Sequence, residues 1–202
     1  MNRTVLFAGI ALVASACSQK AEQPAANAAT PVATPTAEAS ASPTATPAAS
    51  AVAINLAPDG LSLVDPTTGN ARLIAYGSPR ATIEAAVTAA LGAPTERGHS
   101  AECGAGPMDF TTYKSDLQLT FQEGKFIGWT INRGPAKGLA TASGIGIGST
   151  LAEVRKAYSV GDVEEGSLGI LFASGALAGI LDGKGEGAKV TDIWGGTVCL
   201  ID

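Results

Sequence analysis

Hydrophobic positions along this chain fall into three regimes. The first is an unbroken apolar run, Val5-Leu-Phe-Ala-Gly-Ile-Ala-Leu-Val13. The second, residues 21–53, is almost wholly Ala, Pro, Thr and Ser, with five prolines and neither glycine nor an aromatic residue. The third, from Ile54 onward, mixes apolar and polar residues at periods of two and of three to four, which mark strands and helices respectively.

Within the third regime two helices announce themselves. Ser78-Pro79 offers an N-cap with proline at the first helical position; Ile83, Val87, Ala90 and Leu91 then share one stripe, and Gly92 stops it. Thr150-Leu-Ala-Glu153 reads as a capping box, followed by Val154, Ala157 and Tyr158 on the buried side, with Gly161 as the stop. Strands are expected at 61–64 and 72–76 around the turn Pro66-Thr-Thr-Gly69, near 108–113, and at 189–194 and 197–201.

The most informative pattern is an internal repeat. Leu117-Gln-Leu119-Thr-Phe121-Gln-Glu-Gly124-Lys-Phe-Ile-Gly128 matches Leu168-Gly-Ile170-Leu-Phe172-Ala-Ser-Gly175-Ala-Leu-Ala-Gly179 in its apolar and glycine positions. Each copy reads as a β-hairpin with glycine at the turn. Alternation sends Leu117, Leu119 and Phe121 inward in the first copy and Leu168, Ile170 and Phe172 inward in the second. The opposite face is Gln118, Thr120 and Gln122 in one, but Gly169, Leu171 and Ala173 in the other, continued by Ala176, Ala178 and Ile180. That apolar face is either buried against another part of the domain or forms a binding surface of Leu171 and Ala173, edged by Trp129 or Trp194. The first copy carries about 17 extra residues between helix and hairpin, within 93–116, and these hold Cys103.

The fold expected from these elements is α+β: two repeated helix–β-hairpin units forming antiparallel sheet with two helices packed on it. Residues 1–16 read as a signal peptide, 17–53 as a cysteine-led disordered tether, and 54–202 as one domain, with unit one at about 54–135 and unit two at about 136–202. Extended at about 3.1 Å per residue, such a tether reaches roughly 100 Å, and as a flexible coil nearer 30 Å.

Two resemblances add to this. A capped helix ending Leu91-Gly92-Ala93-Pro94, followed by antiparallel strands, is similar to the helix-plus-meander domain of the small barrel-assembly lipoproteins of the outer membrane. The same unit occurs in tandem in β-lactamase inhibitor proteins. Both groups bind proteins without catalysis, which is what the resemblance implies here; it carries over no contact residues. The start of the chain, with Arg3, a short apolar run and Ala14-Ser15-Ala16-Cys17, resembles a lipobox. The run is too short to span a bilayer, which needs about 20 residues. The resemblance implies cleavage before Cys17 and diacylation of its thiol, and several chains at about 0.8 kcal/mol per CH₂ make such an anchor effectively permanent. Ser18 in place of the aspartate that retains related lipoproteins at the inner membrane favours the outer membrane.

Candidate chemistry narrows the reading further. With Cys17 lipidated, Cys103 and Cys199 form an even pair in an oxidising compartment, for which a structural disulfide is expected; two free thiols, or a metal site with the lone His99, are the alternatives. Zinc would need a further ligand that the spacing does not supply, so no metal or other cofactor is expected. Gly144-Ile-Gly146-Ile-Gly148 departs from the dinucleotide glycine spacing, and Gly183-Lys184-Gly185 lacks the rest of a P-loop. His99 stands in the polar stretch Arg97-Gly-His-Ser-Ala-Glu102, read as a solvated loop; acid–base work would require it to pair with Glu102 or Asp109. The net charge is −5, and Arg3 and Lys20 cancel Glu22 and Glu38, so the domain itself is mildly acidic. Without a basic patch, no nucleic-acid partner is expected. The function expected is a membrane-anchored, non-catalytic protein-binding or envelope-assembly module, with an envelope enzyme or a structural spacer as alternatives.

Overall fold

The computed structural model describes residues 52–132 and 138–200. The expected export segment, Cys17 and most of the expected tether lie outside these residues. Strand β1 (Ala53–Ala57) begins where the tether was expected to end, and pairs with β2 (Gly60–Val64), which pairs in turn with β3 (Ala71–Ala75). Asp65 builds the β2–β3 turn: its Oδ1 accepts the amides of Thr67 and Thr68 at 2.8 and 3.1 Å.

Helix α1 (Arg80–Leu91) buries Ile83 and Val87 as the stripe requires, and Gly92 ends it at φ 87°. Pro79 rather than Ser78 occupies the N-cap. Strands β4 (Glu96–Ser100), β5 (Met108–Thr112), β6 (Leu117–Gln122) and β7 (Lys125–Ile131) follow as a meander. Helix α2 (Leu151–Ala157) starts with the expected capping box, Thr150 and Glu153 each accepting the other's amide. It ends at Tyr158, before Gly161. Strands β8 (Glu164–Gly166), β9 (Gly169–Ser174), β10 (Leu177–Leu181) and β11 (Val190–Gly196) complete the chain.

The larger sheet has eight strands in the order β4-β5-β6-β7-β11-β10-β9-β8, all antiparallel. Its last strand in sequence, β11, joins the two hairpins by pairing with both β7 and β10. The expected units thus share one continuous sheet.

This corrects the α+β expectation: among the described residues the protein is mainly β, with sheets of three and eight strands and only two helices. Helix caps are strong local signals, and they stand out against strands that carry none. Strands such as Glu96-Arg-Gly-His-Ser100, expected to be a loop, contain no large apolar residue; β5 supplies the pairing partner that makes them strands. Among the described residues, 197–200 form no strand.

The core lies between the inner face of the large sheet and a second layer made of α1, α2 and the three-stranded sheet. Leu117, Leu119, Phe121, Trp129, Ile131, Phe172 and Ile193 meet Leu56, Leu61, Ile83, Val87, Leu151 and Val154, all nearly inaccessible to water. Trp129 Nε1 donates to Ala57 O at 2.9 Å, tying β7 to the small sheet.

The two hairpins are not equivalent. The first turns at Glu123-Gly124, both with positive φ (50° and 72°), as a type I′ loop requires; the second turns at Gly175-Ala176, with positive φ at Gly175 (61°) alone. In the first, Phe121 faces Phe126 but Thr120 faces Gly128, so Ile127 is an extra residue, a β-bulge. Beyond a bulge every side chain changes face. Gly128 therefore points outward and Trp129 inward, whereas its counterpart Gly179 points inward against the Phe172 ring.

Candidate functional site

The outer face of the large sheet, opposite the core, divides into two parts. Over β8 to β10, facing residues form two rows, Glu164–Leu171–Ile180 and Ala173–Ala178, the latter continued by Trp194 and Thr130. Leu171 and Ile180 are half-buried because they lie over glycines: a Cβ on Gly166 would come within 3.0 Å of Leu171 Cδ1, and one on Gly169 within 3.2 Å of Ile180 Cγ2. The result is a flat apolar strip with Ala173 exposed beside it and the exposed Glu164 at its border.

Leu171 and Ala173 thus lie on this face as the repeat implied, and Trp194 edges it at 8 % exposure. Trp129 does not. The bulge at Ile127 turns it into the core, where its exposure is zero. Nor does the N-terminal meander cover the strip, since it packs on the other side of the sheet.

Over β4 to β7 the outer face is covered. Gln122 Nε2 donates to Ala105 O at 2.9 Å and to Pro107 O at 3.3 Å, pinning the β4–β5 loop against the sheet. The chain after β11 crosses as a strap. Thr197 N donates to the bulged Ile127 O at 2.9 Å, and Thr120 Oγ1 donates to Thr197 O at 2.8 Å. Only glycine fits beneath it at 128, where a Cβ would lie 2.1 Å from Thr197 O.

The strap carries Cys199 to the β4–β5 loop. Cys199 Sγ lies 3.6 Å from Ser100 Oγ and beside the Cys103 thiol, close enough for the two thiols to affect each other's charge. The two half-buried sulfurs are not at bonding distance in this structure, although the partners of the expected disulfide are brought together. Burial first, and then the adjacent Cys103 thiol, push the Cys199 thiol up from its ordinary range, which keeps it protonated.

A second cluster sits on the inner side of β4–β5, under α1. Arg80 Nε bonds Glu84 Oε1 at 3.0 Å, its NH1 bonds Asp109 Oδ2 at 3.1 Å, and its NH2 donates to Thr111 Oγ1 at 3.1 Å. Thr111 Oγ1 donates to Glu84 Oε1 at 2.6 Å, and Arg80 stacks over the Phe121 ring at 4.6 Å. Burial raises the Glu84 carboxyl, but the Thr111 hydroxyl and the Arg80 and Arg97 guanidinium groups outweigh it and hold Glu84 below its ordinary range. His99 faces Asp109 across the β4–β5 ladder, Nδ1 to Oδ1 2.8 Å, both largely exposed. His99 thus meets one of its two sequence-stated partners, on a strand rather than a loop. Alternation places Ser100, and with it Cys199, on the other face of the sheet, so no hydroxyl or thiol of this group meets the imidazole.

Sequence reasoning missed Arg80, Glu84 and Thr111. The Arg80–Glu84 spacing of four is a visible helical pair, but only the tertiary fold brings Asp109 and Thr111 to it. Among the described residues no three His, Cys, Asp or Glu side chains converge to hold a metal, and no helix is long and apolar enough to cross a membrane. Comparison with models of known families, with curated proteins and with solved structures finds no match for this chain.

Proposed function

We propose that the chain is a lipid-anchored envelope protein, held through Cys17, that acts as a non-catalytic binding module and docks another envelope protein on the outer face of β8–β10. The observation that carries this reading is the strip of Leu171 and Ile180, half-buried on the outer face with the exposed Ala173 beside it, on a sheet whose other face carries the core. Apolar strips of this kind, bordered by charge, suit a protein partner better than water. With Glu164 at its border, the strip fits a partner segment whose apolar residue is flanked by a basic one. The polar cluster supports the same reading, because its carboxylates and guanidinium groups are engaged in clamping α1 to the sheet.

The test is a photo-crosslinking residue at Ala173 in the full exported chain, compared with one at Arg72 on the far sheet. A discrete adduct at 173 that disappears with Leu171→Gln, while the melting temperature falls by less than the equivalent of about 1 kcal/mol, supports the surface. Adducts at 72 alone overturn it. A loss above about 2 kcal/mol in Leu171→Gln makes Leu171 a core residue and overturns it equally. The anchor is checked separately by mass: membrane-extracted protein should begin at Cys17 with added acyl chains.

A further inference from the structure

We propose that Cys103 and Cys199 form a redox latch that locks the strap of residues 197–200 over the outer face of β5–β7. Three observations converge on it. First, the thiols are 96 residues apart in sequence and yet adjacent, together with Ser100. Second, their supports differ: Cys103 belongs to a loop pinned by Gln122 and turned by Gly106 N donating to Cys103 O at 2.8 Å, whereas residues 197–200 join no strand. Third, the path beneath the strap is prepared for it, by the bulge that frees Ile127 O for Thr197 N and by Gly128, which leaves the space.

The chemistry is thiol–disulfide exchange with an envelope disulfide, either a protein disulfide oxidase or oxidised glutathione. One cysteine, as thiolate, attacks the oxidant's sulfur; its proton goes to solvent and the oxidant's other sulfur leaves as thiolate. The second cysteine then attacks the mixed disulfide, forming the Cys103–Cys199 bond and releasing the oxidant's remaining sulfur. Two protein thiols are oxidised and one oxidant disulfide is reduced to two thiols. In the reduced state the strap is held at Thr197 by two hydrogen bonds, each of modest net strength. In the oxidised state its far end is bonded to the pinned loop. The latch thereby decides whether the β5–β7 half of the outer face is closed, while the open strip over β8–β10 is untouched.

The experiment uses the full exported chain, acid-quenched and alkylated before and after reduction, followed by hydrogen exchange of the peptide spanning 195–200 in both redox states. The latch predicts no labelled thiol at 103 or 199 before reduction and two after. It also predicts at least tenfold faster exchange of that peptide when reduced, with β8–β10 unchanged. Cys103→Ser with Cys199→Ser should exchange like the reduced protein; should that variant fail to fold, the reduced and oxidised natural chain make the same comparison. Two free thiols that persist in the extracted protein and after incubation with oxidised glutathione overturn the proposal. So does a disulfide between two chains, or an internal disulfide that leaves the exchange of 195–200 unchanged.

Discussion

Two hairpins built on one sequence pattern differ by a single inserted residue, and the difference reorganises half the molecule. In β9–β10 the register runs unbroken, so Leu177, Gly179 and Leu181 face the core and Ala178 and Ile180 face outward. In β6–β7 the bulge at Ile127 reverses the pleat: Trp129 and Ile131 enter the core, and Gly128 and Thr130 turn outward. The bulge also leaves a carbonyl that the strap takes up. One half of the outer face is therefore closed and the other left as an open apolar strip.

The largest effect expected of that comparison lies in the two tryptophans. Trp129→Ala should lose about 3–5 kcal/mol, as a large core side chain does, and should also release Ala57 O. Trp194→Ala, which removes a buried side chain outside the main core cluster, should cost less than that. Denaturant unfolding of the two variants measures this; equal losses would remove the bulge as the cause of their different placement.

Next come the paired glycines. Gly128→Ala and Gly179→Ala should each cost about 1–3 kcal/mol by overpacking, but against different neighbours: Thr197 O in the first, the Phe172 ring and Asp192 O in the second. Thiol labelling separates them. Gly128→Ala should lift the strap and speed labelling of Cys199 in reduced protein, and Gly179→Ala should leave it as it was.

The smallest effect is acid sensitivity. Glu84 has a depressed folded pKa, so its contribution is present above the ordinary glutamate range and is lost as pH falls through the folded value. Protection of β4–β5 amides from hydrogen exchange, taken relative to the intrinsic rate at each pH, should therefore fall below the ordinary glutamate range, and Glu84→Gln should remove that dependence. Glu165 on β8 is also held low, by Lys184, but it is fully exposed and solvent screens the pair. Exchange in β8–β9 should change less over the same range.

Locally encoded features are legible in the residues alone. The α2 capping box, the turn at 66–69, both hairpins and the inward set Leu119, Phe121, Ile170 and Phe172 follow from caps, turn residues and alternation, which act over a few neighbours, and the α1 start is legible to within one residue. Alternation also places Leu171 and Ala173 on one face, because the period of two holds wherever the register is unbroken. The remaining features depend on how the sheet packs as a whole. A bulge is set by how β7 must twist to fit both β6 and β11, so no local signal marks Ile127, and Trp129 was assigned to the wrong face. Strand β4 exists because β5 offers it hydrogen bonds, which makes 97–100 a strand where a loop is expected and leaves only 101–102 outside it, and shifts the fold from α+β to mainly β. The contacts of His99 with Asp109, of Arg80 with Thr111 and of Cys103 with Cys199 join residues far apart in the chain. Their proximity is a property of strand order, and strand order is fixed by the packing of the whole sheet rather than by any segment of it.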